Sequence, residues 1–309
     1  MSRLIVCELE QYGLLRFSGD DAQSFLHNQI TCDVAALAAG RSTYGAYCTP
    51  KGRVFASFLL WRVAGEFCMQ IPVPLVEPMR KQLSRYILRA KVKVDDVTGD
   101  WQLFGVTGPD AGARVQTALG CAPGKMHDVV EATGAMAIRL PGDRFEIIAA
   151  RNEAPRLREV LAAGATAAGP ESWDLADIRA GIPAVLPATQ EAFVPQMVNF
   201  DLIGGVSFEK GCYPGQEIVA RMHYRGTLKQ RMYRAGIAGT DRPQPGDKVY
   251  SAGFGEQSCG MIVNASPAPE GGFDTLVVIQ IAAAEKGDVR WRSPEGPALK
   301  RLPLPYPVA

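Results

Sequence analysis

One short pattern occurs twice in this chain at a fixed distance. Leu14-Leu15-Arg16-Phe17 reads as a strand, and Ser18-Gly19-Asp20-Asp21 as a turn that caps a helix carrying Ala22, Phe25, Leu26 and Ile30 on one face. Phe104-Gly105-Val106 followed by Thr107-Gly108-Pro109-Asp110-Ala111 repeats it: Gly19, Asp21 and Ala22 fall on Gly108, Asp110 and Ala111, an offset of 89 residues. The same offset carries Gly45-Ala46 onto Gly134-Ala135, and one residue more carries Gly52 and Phe55 onto Gly142 and Phe145. This pattern implies a duplication in which residues 16–60 and 105–149 form equivalent substructures.

In each copy the strand after this glycine, residues 54–60 or 145–149, precedes a helical stretch. Residues 75–90 place apolar side chains at helical spacing, and residues 155–163 have Pro155 at their start and Gly164 just beyond. Strand, helix, two strands, helix, strand is the ferredoxin-like split βαβ order, so the expected class is α+β with two such units. After about residue 230 short apolar runs alternate with Gly, Pro and Asp turns, which predicts a small antiparallel β-barrel. The expected organisation is residues 1–230 as the duplicated region, divided near residue 100, and 231–309 as the barrel. The tail after Pro303 is expected to be an extended cover strand.

The 33 basic and 32 acidic side chains leave no global attraction to nucleic acid or to an anionic membrane, so such binding would need local patches. There are two: Lys81, Arg85 and Arg89 along the helix expected over 75–90, and Arg221, Arg225, Lys229, Arg231 and Arg234 within an acid-free run over 218–240. The seven cysteines are scattered, odd in number and contain no C-x-x-C pair. That argues against a disulfide framework or a zinc site and for a reducing compartment. With no leader pattern at the N-terminus and no long apolar run, the reading is cytoplasmic, with no membrane partner. His27, His127 and His223 lack a spacing that suggests a metal site, and no metal is expected.

The densest run of special residues is Lys210-Gly211-Cys212-Tyr213-Pro214-Gly215-Gln216-Glu217. Its glycines and proline specify a tight turn, and Gln216 begins a helix in which Glu217 is spaced to reach Arg221 at i+4. A cysteine just before a helix N-terminus and two residues from Lys210 is placed to favour the thiolate. Without that chemistry the same run is a strand-to-helix turn with a small buried thiol.

Lys-Gly-Cys-Tyr-x-Gly-Gln-Glu resembles the signature of the YgfZ proteins, relatives of the glycine-cleavage T-protein, an aminomethyltransferase. Residues 193–199 and 204–208 upstream, and Arg221 with Arg225-Gly226 downstream, extend the resemblance over most of the chain. It implies strands that interleave between the two units, a terminal barrel, and a tetrahydrofolate or other folate held by an aromatic at Tyr12 and by Trp173, eight residues ahead of Gly181 in Ala180-Gly181-Ile182-Pro183.

Two positions depart from the T-protein pattern. Where T-proteins carry an acidic pair after a Lys-Gly or Gly-Gly turn, this chain reads Lys51-Gly52-Arg53-Val54-Phe55-Ala56-Ser57, so Ala56 and Ser57 supply no carboxylate for proton transfer at folate. Where T-proteins have a pteridine-binding Glu, Arg179 stands, which accepts no hydrogen bond. The resemblance therefore implies a folate-binding factor that supports assembly or repair of iron-sulfur enzymes, including those that modify tRNA. Cys212 is its reactive group, and its reaction, if it has one, is left open. The alternatives are a folate-dependent aminomethyl or methyl transferase or demethylase, and an RNA-binding module that contacts tRNA directly.

Overall fold

The computed structural model describes residues 3–308. Chain contacts divide it into two compact units, one of residues up to 29, 33–44 and 58–173, the other of residues 30–32, 45–57 and 174 onward. The second unit thus takes in segment 174–230, which the sequence groups with the duplicated region.

The first stretch of chain runs β1 (Ile5–Glu8), β2 (Tyr12–Ser18), α1 (Ala22–His27), β3 (Arg41–Cys48), β4 (Val54–Val63), β5 (Glu66–Pro72), α2 (Val73–Ser84) and β6 (Lys93–Asp96). It continues β7 (Trp101–Thr107), α3 (Ala111–Leu119), β8 (Val129–Ala132), β9 (Ala135–Leu140), β10 (Arg144–Ala150), α4 (Ala154–Ala162) and β11 (Thr166–Ala168). Two sheets result, ordered β3-β4-β5-β2-β6 and β11-β1-β7-β10-β9-β8. Residues 45–57, at the junction of β3 and β4, count with the second unit.

The duplication is visible in the neighbours. β5 and β6 flank β2, while β10 and β1 flank β7, all antiparallel. The N-terminal strand β1 therefore takes, beside β7, the place that β6 takes beside β2, which is the interleaving the resemblance implies. Gly19 and Gly108 show the repeat at atomic scale, with φ of +105° and +106°. A Cβ on Gly19 would stand 2.2 Å from the Lys91 carbonyl oxygen ahead of β6, and one on Gly108 would stand 2.4 Å from the Arg3 carbonyl oxygen ahead of β1. Side chains are barred there because the chain entering a neighbouring strand, β6 over Gly19 and β1 over Gly108, passes over each turn.

The α+β class is as expected, and three finer expectations need correction. Each half reads β-α-β-β-β-α-β, one strand more than the ferredoxin-like order. By its neighbours β10 corresponds to β5 and not to β4, so the offset holds for the strand-helix beginnings and fails beyond them; residues 16–60 contain three strands and residues 105–149 four. Helix α2 ends at Ser84, not at residue 90: it buries Leu75, Val76, Met79 and Leu83, whereas Leu88 beyond it is 87% exposed. Arg85 is its C-cap and Arg89 lies outside it, so the basic residues form no continuous stripe, and Lys81 pairs with Glu77 at 3.3 Å.

Strand β10 explains how the second half packs. Phe145, Ile147 and Ala149 point into a core closed by Val115 and Ala118 of α3 and Leu157 and Leu161 of α4. Alternation sends Arg144 and Glu146 to the opposite face, where both are still only 1% exposed.

The second unit contains most of α5 (Glu171–Ala180), then α6 (Gln216–Tyr224), β12 (Gln230–Ile237), β13 (Lys248–Tyr250), β14 (Gly260–Pro267), β15 (Phe273–Gln280), α7 (Ile281–Lys286), β16 (Arg290–Trp291) and β17 (Leu299–Leu302). The six strands form one curled antiparallel half-barrel, β16-β13-β14-β15-β12-β17, around Val249, Ile262, Val277, Ile279 and Trp291. The tail after Pro303 is not a strand. Instead the Tyr306 hydroxyl donates to the Gly181 carbonyl at 2.6 Å. Among the described residues no helix is long and apolar enough to cross a membrane.

Candidate functional site

The Cys212 loop is built on two short segments that join the second unit from far upstream, residues 30–32 and 45–57. Thr31 fastens them: its N–H donates to Ala46 O at 2.9 Å, its hydroxyl accepts from Ala46 N at 2.9 Å and donates to Gly205 O at 2.6 Å. Ser207 N donates to Thr31 O at 2.9 Å, which leads the chain into the motif.

Lys210 then turns inward. It is 8% exposed, its ammonium donates to the carbonyls of Ile30 and Cys32, and it lies 5.0 Å from the Tyr213 ring centroid. A buried ammonium is tolerated only when its donors are satisfied, and two carbonyls and an aromatic face do that here. This corrects the expectation for Lys210: its charge holds the loop to the core, where the sequence suggested a partner for the thiol. Tyr213 is also buried, and burial, with the Cys48 thiol as a lesser contributor, pushes its hydroxyl pKa up.

Helix α6 begins where the sequence places it, with Gly215 at the N-cap in the left-handed region (φ +80°). Gly215 packs on the Thr49-to-Gly52 turn so closely that a Cβ would stand 2.3 Å from Thr49 O and 2.7 Å from both Cα and N of Gly52. The Gln196 side-chain amide donates to Val219 O at 2.7 Å, and the Asn199 amide donates to Met232 O at 2.9 Å. The flanking motif at 193–199 is thus a brace for the helix and for β12. Glu217 and Arg221 form no ion pair among the described residues, against expectation; both are exposed, where such a pair gains little.

Between the buried anchors Lys210 and Tyr213, Gly211 and Cys212 are exposed. None of the seven cysteines is in a disulfide, and Cys212 is the one exposed thiol; Cys7, Cys32, Cys48 and Cys259 are buried, Cys68 and Cys121 half-buried. Burial pushes the Cys48 and Cys68 thiols up to about 12 and the Cys259 thiol up to about 11. A thiol displayed on a corner clamped on both sides can act as a nucleophile or as a transient ligand for sulfur or metal cargo.

The residues expected to hold folate are placed differently. In the first unit Tyr12 is half-buried at the start of β2. Trp173 is 1% exposed: the Arg144 guanidinium lies 4.7 Å from its ring, and a Cβ on Gly105 would come within 2.4 Å of it. In the second unit Arg179 bonds Asp274 at 2.9 Å and Glu270 at 2.8 Å. Ala56 is fully buried, and the Ser57 hydroxyl accepts the Val185 N–H at 2.8 Å.

His27 contacts Asp33 at 3.3 Å and His127 the Ser42 hydroxyl at 3.0 Å, both structural placements. Among the described residues no group of three or more His, Cys, Asp or Glu side chains is arranged to hold a metal ion. What the sequence reading missed is Thr31, which fastens two distant segments, and an exposed aromatic corner in which Phe208 stacks on His223. The position of His223 and Tyr224 within the acid-free run was a signal for the corner; nothing local marked Thr31.

Comparison with known proteins supplies the context. Residues 1–128 match the family model of the GCVT N-terminal domain. The chain is 31% identical over 310 residues to the tRNA-modifying protein YgfZ of Photobacterium profundum, covering 99% of this chain and 92% of that one. It is 30% identical over 312 residues to the protein of the same name from Vibrio vulnificus, covering 99% and 93%. Its fold is similar to that of the glycine cleavage system aminomethyltransferase T from Bartonella henselae, with a TM-score of 0.80 and 17% identity over 98% of this chain and 86% of that one.

Proposed function

From the premise that the chain belongs to the YgfZ family, we propose that it is a factor supporting iron-sulfur enzymes, among them those that modify tRNA, with Cys212 as its reactive group. The observation that carries this reading is the contrast within the motif: Lys210 and Tyr213 are buried, yet the cysteine between them is exposed, the only thiol so displayed. A merely structural thiol in such a loop would be packed with its neighbours. Seven cysteines with no disulfide among them suit a reducing, cytoplasmic compartment.

Alkylation of the purified chain with iodoacetamide at neutral pH, read by peptide mass, should label Cys212 first. Cys212→Ser should melt as the parent does while failing to restore iron-sulfur enzyme activity in a deletion strain. An unlabelled Cys212 together with full rescue by Cys212→Ser would reduce the motif to a structural turn.

Tetrahydrofolate is the cofactor this reading assigns, on the family resemblance and on Tyr12 and Trp173. The T-protein manner of holding the pterin does not fit this chain. Ala56 and Ser57 offer no carboxylate, and Arg179 is bonded to Asp274 and Glu270. We therefore route no chemical step through folate, and assign the chain no aminomethyl transfer. A ligand ring laid on the Trp173 face that Arg144 covers would displace that guanidinium. Calorimetric titration with tetrahydrofolate tests the assignment, and the absence of saturable heat would remove folate from it.

A further inference from the structure

Helix α6 ends in an exposed aromatic corner that the reading of Cys212 does not use. Phe208 lies flat on His223, with ring centroids 3.7 Å apart and planes inclined by 13°. Tyr224 stands edge-on to both, at 6.3 Å from Phe208 and 4.7 Å from His223. Tyr224 is 66% exposed, His223 is exposed and Phe208 half-buried, so the stack is presented to solvent. Exposed aromatic surface of this extent on a stable helix needs a reason, because burying it would be favourable.

The charge of the segment that carries it, residues 218–240, is one-sided. Of the five cations between residues 218 and 240, Arg231 is held by Asp201 at 2.7 and 2.9 Å and Arg234 by Asp274 at 2.6 Å. Arg221, Arg225 and Lys229 are exposed, and among the described residues none of the three makes an ion pair. Tyr224 and Arg225 follow Arg221 by three and four positions, so all three share the face at the end of α6. Of the carboxylates nearest in sequence, Glu217 precedes this turn, and Glu209, exposed, directly follows Phe208.

Stacked rings with free π surface beside unpaired cations are the two components with which proteins hold single-stranded nucleic acid: bases stack on the rings, phosphates meet the cations. An acidic peptide would satisfy the cations and leave the rings without a role. We infer that the C-terminal end of α6 docks a single-stranded polynucleotide, with a base on the His223–Tyr224 corner and phosphates on Arg221, Arg225 and Lys229. This deepens the family reading by giving the chain an RNA contact of its own, and it is independent of what Cys212 does.

The test is fluorescence anisotropy of the full chain with a fluorescein-labelled 12-nucleotide single-stranded RNA of mixed sequence, titrated at several salt concentrations. Three phosphate contacts predict a slope of log affinity against log salt of about −2 for a single strand. Tyr224→Ala should weaken binding about tenfold, the scale of one lost base stack. Arg221→Gln, Arg225→Gln and Lys229→Gln combined should bring the slope close to zero, and a duplex of the same sequence should bind more weakly. All four side chains are exposed, and equal melting temperatures would show the fold intact. Absence of RNA binding at low salt, or affinity unchanged by Tyr224→Ala, would overturn the inference. Tighter binding of a polyglutamate peptide than of RNA would overturn it in favour of an acidic protein partner. The assay contains no cellular readout, so its failure leaves the Cys212 reading standing, and the reverse.

Discussion

Gly215 and Gly52 meet backbone to backbone: a Cβ on Gly215 would stand 2.7 Å from both Cα and N of Gly52. The contact locks the turn ahead of α6 onto the turn between β3 and β4, and both glycines are in the left-handed region, with φ of +80° and +68°. Gly215→Ala should therefore lower stability by about 1–3 kcal/mol, from strain and overlap together. Gly52→Ala should act similarly, since its Cβ would meet the Ile218 Cβ at 2.8 Å. Because both disrupt one contact, the double variant should fall short of the sum of the two, read from denaturant midpoints. Full additivity would mean the turns are not locked together.

Lys210 gives a second prediction. Lys210→Met removes the ammonium but leaves the carbonyls of Ile30 and Cys32 without their donor, which should cost about 1–3 kcal/mol. Were Lys210 instead the partner of the thiol, Lys210→Met would slow alkylation of Cys212 and leave the denaturant midpoint where it was. Measuring both quantities on one variant separates anchor from activator.

These two residues show how far the sequence could be read. Gly215 and Gln216 located the start of α6 because cap chemistry is local. The direction of Lys210 was invisible because its partners lie 180 and 178 residues away in sequence. The repeat was legible where turn glycines mark it, at Gly19 and Gly108, and illegible beyond, because β3 with its turn into β4 takes residues 41–53 while β8 with its turn into β9 takes only 129–134, which shifts every later strand. The end of α2 was missed because apolar spacing continues through Ile87, although burial stops at Leu83. The family resemblance singled out Trp173, but only coordinates reveal Arg144 over its ring.

That cover changes how folate binding should be tested. Trp173 is a core residue at 1% exposure, so Trp173→Ala should cost about 3–5 kcal/mol of stability and confound any loss of ligand affinity. Arg144→Met keeps the buried volume and removes the guanidinium. If a folate ring takes the place of Arg144 on Trp173, this variant should bind tetrahydrofolate more tightly in calorimetry. Unchanged affinity would put the ligand elsewhere.

His127 sets a pH dependence. It sits at φ +66°, its Nδ1 lies 3.0 Å from the Ser42 hydroxyl, and Tyr44 meets its ring edge-on at 5.3 Å. Burial, with the nearby Arg41 guanidinium, pushes its pKa down from 6.5 to about 4. The unfolded chain takes up a proton near pH 6.5, while the folded chain resists until about pH 4. The neutral ring's contribution is therefore complete above pH 6.5, falls as pH drops through this window, and is gone below about 4. Its size is on the order of 3 kcal/mol. His127→Asn tolerates the left-handed backbone and does not titrate. Denaturant midpoints from pH 7 to 4 should fall less steeply for His127→Asn than for the parent. Parallel curves would show that the imidazole is charged in the fold, and that the acid sensitivity of this protein originates in other groups.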